Sequence, residues 1–201
     1  MLKVAIASEN GHYDSLVYRE LLSMLLPTEV EIWNEHRYTF NGWKPVVHNA
    51  SLFLRDAARH GVHRALLAID NDGGSKRRLE HHDGHIPSEE TLSEQDGCAE
   101  CLLAEQIPPD WKSPPFHACI VVSVQTLETW LLVLQGYTFK EKAPEGRYQR
   151  SVLKKDLFGK PIPPENVRAQ MALELVKRPG ALELLRQRPS FQRFEARLVG
   201  W

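Results

Sequence analysis

Ala65-Leu66-Leu67-Ala68-Ile69-Asp70-Asn71-Asp72-Gly73-Gly74 runs from five apolar residues into two carboxylates and two glycines. A short apolar run bounded by turn residues reads as a buried strand, so Asp70 and Asp72 fall at its C-terminal end. Two residues apart on an extended chain end, both side chains point the same way and can share one cation. Like charges this close need a counter-cation, and the glycines let a phosphate approach without a Cβ in the way. A solvated turn has the same composition, so the stretch needs a second signal.

That signal is Glu9, at the end of the apolar run Leu2-Lys3-Val4-Ala5-Ile6-Ala7. If the two runs are parallel strands of one sheet, their carboxylates meet at its C-terminal edge, where open α/β folds place their sites. Around them the pattern alternates. Leu2 to Ser8 reads as a strand and Asp14 to Leu26 as a helix stopped by Pro27; Glu29 to Trp33 is a weaker strand. Residues 34–47 read as irregular. Ala50 to His60 reads as a helix with Asn49 as N-cap and Gly61 as its end, and His63 to Ile69 and Ala118 to Val124 read as strands. Gln125 to Leu134 follows as an amphipathic helix. After Gly136 come basic helices over Tyr148 to Asp156, Pro164 to Lys177 and Gly180 to Arg188, with Pro189 as a stop. The order predicts an α/β fold: a mainly parallel four-stranded sheet flanked by helices over residues 1–139, interrupted by a polar insertion at 73–115, then a basic helical appendage over 140–201. An insertion of this length at the site-bearing edge reads as a functional loop or lid.

Charge divides along the same line. Residues 1–139 carry 11 Lys or Arg against 19 Asp or Glu, and residues 140–201 carry 14 against 7. Cations beside clustered carboxylates suit a polyanionic substrate held together with metal, although a basic tail could equally neutralise its own domain. Three cysteines make no closed disulfide framework, which points to a reducing cytoplasm. No apolar run approaches the ~20 residues that span a bilayer, and Met1 leads into a strand rather than a signal-peptide pattern.

A strand ending in Glu and a strand ending in Asp-x-Asp, within a small parallel α/β unit, resemble the TOPRIM domain of topoisomerases, primases and OLD-type nucleases. The segment Val124-Gln125-Thr126-Leu127-Glu128-Thr129-Trp130-Leu131-Leu132 is similar to the Glu followed by Trp-Leu-Leu of small stand-alone TOPRIM-like proteins of prokaryotic defence loci, including the RloB-like group. The resemblance covers roughly residues 1–135. It implies Mg²⁺, or Mn²⁺, organised by Glu9, Asp70 and Asp72 for phosphodiester chemistry on DNA or RNA, Glu9 as general acid or base, and Glu128 as a further acidic residue near the metals. It also implies a nuclease effector or subunit in antiviral defence, either catalytic or a non-catalytic partner of an ATPase, and leaves room for a homo-oligomer. The order Glu9-Asn10-Gly11 departs from the family's usual Glu-Gly. Leu66 to Gly73 also looks like the first motif of haloacid-dehalogenase-type phosphatases, with Asp70 as nucleophile and Asp72 as acid/base. That reading gives Glu9 no role.

Two further sets could serve such a site. Lys76, Arg77 and Arg78 follow the Asp pair closely enough to contact a substrate phosphate, and Lys154 or Lys155 could neutralise charge in the transition state. Arg147, Arg150, Lys154, Lys155 and Lys160 form the densest basic set for a nucleic-acid backbone. His82, His85, Cys98 and Cys101 supply four N or S ligands that could close a zinc-stabilised loop, or only polarity and two thiols. Cys119 reads as a buried strand residue, and Trp130 as core.

Overall fold

The computed structural model describes residues 1–10, 12–33, 40–71, 99–124, 127–137 and 150–201. Four strands, β1 (Leu2–Ser8), β2 (Val30–Ile32), β3 (Arg64–Asn71) and β4 (His117–Val124), form one all-parallel sheet in the order β2-β1-β3-β4. Helices flank both faces, so each strand alternates between two apolar environments with the two-residue period of the pleat.

On one face lie Val4, Ile6, Leu66, Ala68, Cys119 and Val121. They share a single buried cluster with α1 (Tyr13–Leu25), α4 (Leu127–Leu134), α5 (Arg150–Phe158), α6 (Glu165–Val176), α7 (Ala181–Leu185) and α8 (Pro189–Arg197). On the other lie Ala5, Ala7, Ala65, Leu67, Ile69 and Ile120, packed under α2 (Trp43–Arg59), α3 (Ala99–Gln106) and a 3₁₀ turn over Pro109–Lys112. The small residues Ala5, Ala7 and Ala65 give room there for the bulk of Phe53 and Leu54.

The four expected strands form within a residue or two of their expected ends, whereas three helical regions differ from expectation. α2 begins at Trp43, seven residues before Ala50, and Asn49 is not its cap. The helix runs through Pro45 because a proline in the first turn lacks only an N–H that would be unpaired there. Asn49 instead sits inside, its side-chain amide donating to the Pro45 carbonyl at 2.8 Å. Gly61, at φ 72°, follows the helix end as expected. The C-terminal part of the 73–115 insertion is not a polar loop, since Leu103, Ile107 and Trp111 are buried against the sheet. Pro189 opens a final helix rather than closing the chain's last one, at the first-turn position proline favours. Within the described residues, no helix is long and apolar enough to cross a membrane.

That final helix is structural. Phe194 stacks on Trp130 at 6.0 Å and 21°, Phe191 meets the same indole edge-on, and Trp130 Nε1 donates to Ser190 Oγ at 3.0 Å. Phe194→Ala is expected to cost ~3–5 kcal/mol in urea unfolding, and Val199→Ala, at an exposed site, within ~0.5 kcal/mol. A Phe194→Ala cost below ~1 kcal/mol would mean that α8 lies outside the cooperative core.

Candidate functional site

Strands β1 and β3 are central and adjacent, and their paired register Ala7↔Leu67 and Ser8↔Ala68 brings Glu9 and Asp70 to the same edge. There the Asp70 amide donates to Glu9 Oε1 at 2.7 Å. Asp70 Oδ1 in turn accepts the Leu127 N–H at 3.0 Å, placing a carboxylate at the N-terminus of α4, where the helix dipole favours negative charge. Glu128 follows on that first turn, its Oε1 3.5 Å from Lys154 Nζ of α5. The sequence-predicted Glu9, Asp70, Glu128 and Lys154 are therefore gathered at one edge.

Asp14, in the first turn of α1, is a fourth carboxylate there that sequence reasoning missed. Its Oδ2 accepts the Asn10 N–H at 2.9 Å, while Asn10 Oδ1 accepts the His12 and Tyr13 N–H groups at 3.3 and 3.2 Å. The asparagine that departs from the Glu-Gly pattern thus accepts two N–H groups at the start of α1. Asn10 also bridges to Asn41, and the Gly42 N–H donates to the Glu9 carbonyl at 2.9 Å, which ties the edge to the start of α2.

All four carboxylates are withdrawn from water: Glu9 is 3% exposed, Asp14 9%, Asp70 6% and Glu128 2%. Burying ionised groups is costly unless hydrogen bonds and opposite charges compensate. Two tyrosines register the resulting field. Burial, then Glu128 and Asp14, push the Tyr13 hydroxyl well above its usual range, with the Arg168 guanidinium opposing. Burial, then Asp14 and Asp70, do the same to Tyr18, whose hydroxyl lies 3.3 Å from Ser123 Oγ at the end of β4. Tyr13 and Arg168 were also missed. Arg168 reaches the edge through packing of α6 on α1, a contact between segments far apart in sequence.

Glu9 and Asp70 stand side by side with oxygen donors suited to a hard divalent cation, and Glu128 and Asp14 add to the negative field. Among the described residues, no three His, Cys, Asp or Glu side chains are grouped to hold one ion. Asp72, the third expected ligand, lies outside the described residues, as do Lys76, Arg77, Arg78, His82, His85 and Cys98. Cys101 is buried on α3, Cys119 is buried in β4 as expected, and Lys155 is exposed. No family model, curated protein or solved structure matches this chain.

The raised tyrosines fix the sign of the alkaline response. An unfolded chain releases their protons near pH ~10 while the native chain retains them, so stability is full below that pH and falls as pH rises beyond it. Urea melts from pH 8 to 11 are expected to show this loss, reduced in Tyr13→Phe and Tyr18→Phe. Native-state phenolate absorbance near pH ~10 that disappears in Tyr13→Phe would contradict the buried placement.

Proposed function

We propose that this chain is a TOPRIM-like, Mg²⁺-dependent phosphodiesterase acting on nucleic acid. The observation that carries the reading is the meeting of Glu9 with Asp70, 2.7 Å from Oε1 to the amide, at the ends of adjacent parallel strands. A Glu on one strand and an Asp-x-Asp on its neighbour are the two signatures on which the family resemblance rests. Charge supports it as well: Glu9, Asp14, Asp70 and Glu128 are all buried at this edge, a concentration of negative charge that a divalent cation would offset.

Glu9, Asp70 and Asp72 are the residues that would hold the ion. When bound, Mg²⁺ or Mn²⁺ polarises a phosphoryl oxygen and lowers the pKa of a bound water. The chain supplies the positioning. The Asp70 amide and the Leu127 N–H each fix one carboxylate oxygen, so neither group must reorganise as charge develops. Lys154 holds Glu128, and Glu9 serves as general acid or base. The basic residues of the C-terminal helices attract a polyanion, and cytoplasmic nuclease activity within a prokaryotic defence system is the setting the resemblance implies.

Asp70→Asn and Glu9→Gln keep an oxygen for the Leu127 and Asp70 amides, so both variants should fold. Each is expected to lower Mg²⁺- or Mn²⁺-dependent cleavage of DNA or RNA by at least ~100-fold. Undiminished cleavage in either variant would overturn the proposal. So would a wild-type chain that cleaves neither nucleic acid but releases phosphate from a small phosphomonoester through a phospho-aspartate at Asp70.

A further inference from the structure

Tyr13 is 1% exposed, yet its hydroxyl has no hydrogen-bond partner, and the Nε of Arg168 is likewise buried and unpartnered. Buried polar groups are nearly always satisfied, so each such exception calls for an explanation. These two are neighbours. The Arg168 guanidinium carbon lies 5.6 Å from the centroid of the Tyr13 ring and 6.0 Å from that of Phe158, which holds the planar fork against two aromatic surfaces. Tyr18 makes the contrast: equally buried in the same wall, its hydroxyl has Ser123.

Both orphaned groups can donate, and Arg168 can only donate. The occupant they await therefore carries acceptor oxygens. A guanidinium edge stacked on aromatic rings is suited to two parallel bonds to an oxyanion, and the Tyr13 phenol, kept neutral by its surroundings, has a proton to offer a further oxygen. A bare anion would be repelled by Asp14, Asp70 and Glu128, which all act on the Tyr13 hydroxyl. A phosphoryl group that brings a divalent cation to those carboxylates would not. Lys154 already engages Glu128, whereas Arg168 forms no ion pair among the described residues and so stands available to a ligand.

We propose that Arg168 and the Tyr13 hydroxyl form the oxyanion-binding half of the site, gripping non-bridging oxygens of a phosphoryl group whose cation sits on the carboxylates. This rests on the phosphodiester reading above for the rest of the substrate. The C-terminal helices thereby supply a substrate-binding residue to the sheet edge.

The test is calorimetric titration of the full chain with thymidine 5′-monophosphate in Mn²⁺, beside titration with Mn²⁺ alone. Arg168→Gln is expected to weaken nucleotide binding by ~10-fold or more, and Arg168→Lys, which keeps the charge but not the fork, by an intermediate factor. Mn²⁺ alone should bind Arg168→Gln at least as tightly as wild type, because a nearby cation has been removed. Tyr13→Phe should weaken the nucleotide by several-fold, ~3 to 10, while keeping or raising thermal stability, since it deletes an unmade bond. Nucleotide affinity of Arg168→Gln within ~2-fold of wild type, a parallel loss of Mn²⁺ and nucleotide binding, or no nucleotide binding by wild type would overturn the inference. Arg168-dependent nucleotide binding by a chain that cleaves no nucleic acid would keep this oxyanion site and remove the phosphodiesterase. Cleavage and nucleotide binding indifferent to Arg168 would do the reverse.

Discussion

The hydrogen bond from the Asp70 amide to Glu9 Oε1 joins the ends of the two central strands, and the candidate site depends on it. It exists because β1 and β3 pair in one register, Ser8 against Ala68. That register is enforced from both sides of the sheet. A slip of one residue would turn Val4 and Ile6 from the face they share with α1 toward the face under α2, where Ala5 and Ala7 leave space for Phe53. The same slip would move Glu9 along the strand by ~3.3 Å and break its bond to Asp70. Core packing and placement of the carboxylates are thus one constraint.

Besides Glu9, whose Oε1 accepts the Asp70 amide, the other three carboxylates at the edge each have a compensating contact. Asp70 faces the first N–H of α4, Asp14 accepts from Asn10, and Glu128 pairs with Lys154. The first two use backbone donors fixed by strand and helix ends, which stay in place whatever the solvent does. The third depends on α5, and Arg168 depends on α6. The C-terminal helices are therefore coupled to the site twice, through the apolar cluster they share with the sheet and through the cations they carry to its edge.

Three of the strands were legible because a buried parallel sheet demands short apolar runs, and β2 was legible as a weaker alternation of polar and apolar residues. Glu9 and Asp70 were legible because each ends such a run. Two helix starts were missed: residues 34–47 read as irregular and Pro189 read as a stop, while Pro45 and Pro189 both lie in the first turn of a helix, which tolerates proline. Buried α3 was hidden inside a segment whose overall composition is polar. Asp14 read as an ordinary acidic residue at a helix start, and only the three-dimensional edge gives it neighbours. Arg168 left no local trace, because its position depends on how α6 lies against α1, and no spacing within either helix encodes that crossing.

The aromatic residues around the edge determine how strongly its charges act. Tyr13 packs edge-on against Phe158 at 6.1 Å, and Tyr18 packs edge-on against both Trp130 and Phe194 at 6.4 and 6.3 Å. These rings keep water from one side of the carboxylates, and with less water a fixed charge acts more strongly on whatever lies beside it. The wall is also asymmetric. Tyr18 completes its bonding inside the protein through Ser123, so its role ends with packing, whereas Tyr13 and Arg168 leave donors unmet beside a cluster of negative charge. A chain selected for stability alone would gain from phenylalanine at position 13, where the ring packing would be kept and the unmade bond removed. The unmade bond at position 13 therefore adds nothing to the fold, and the oxyanion site proposed above is the use it fits.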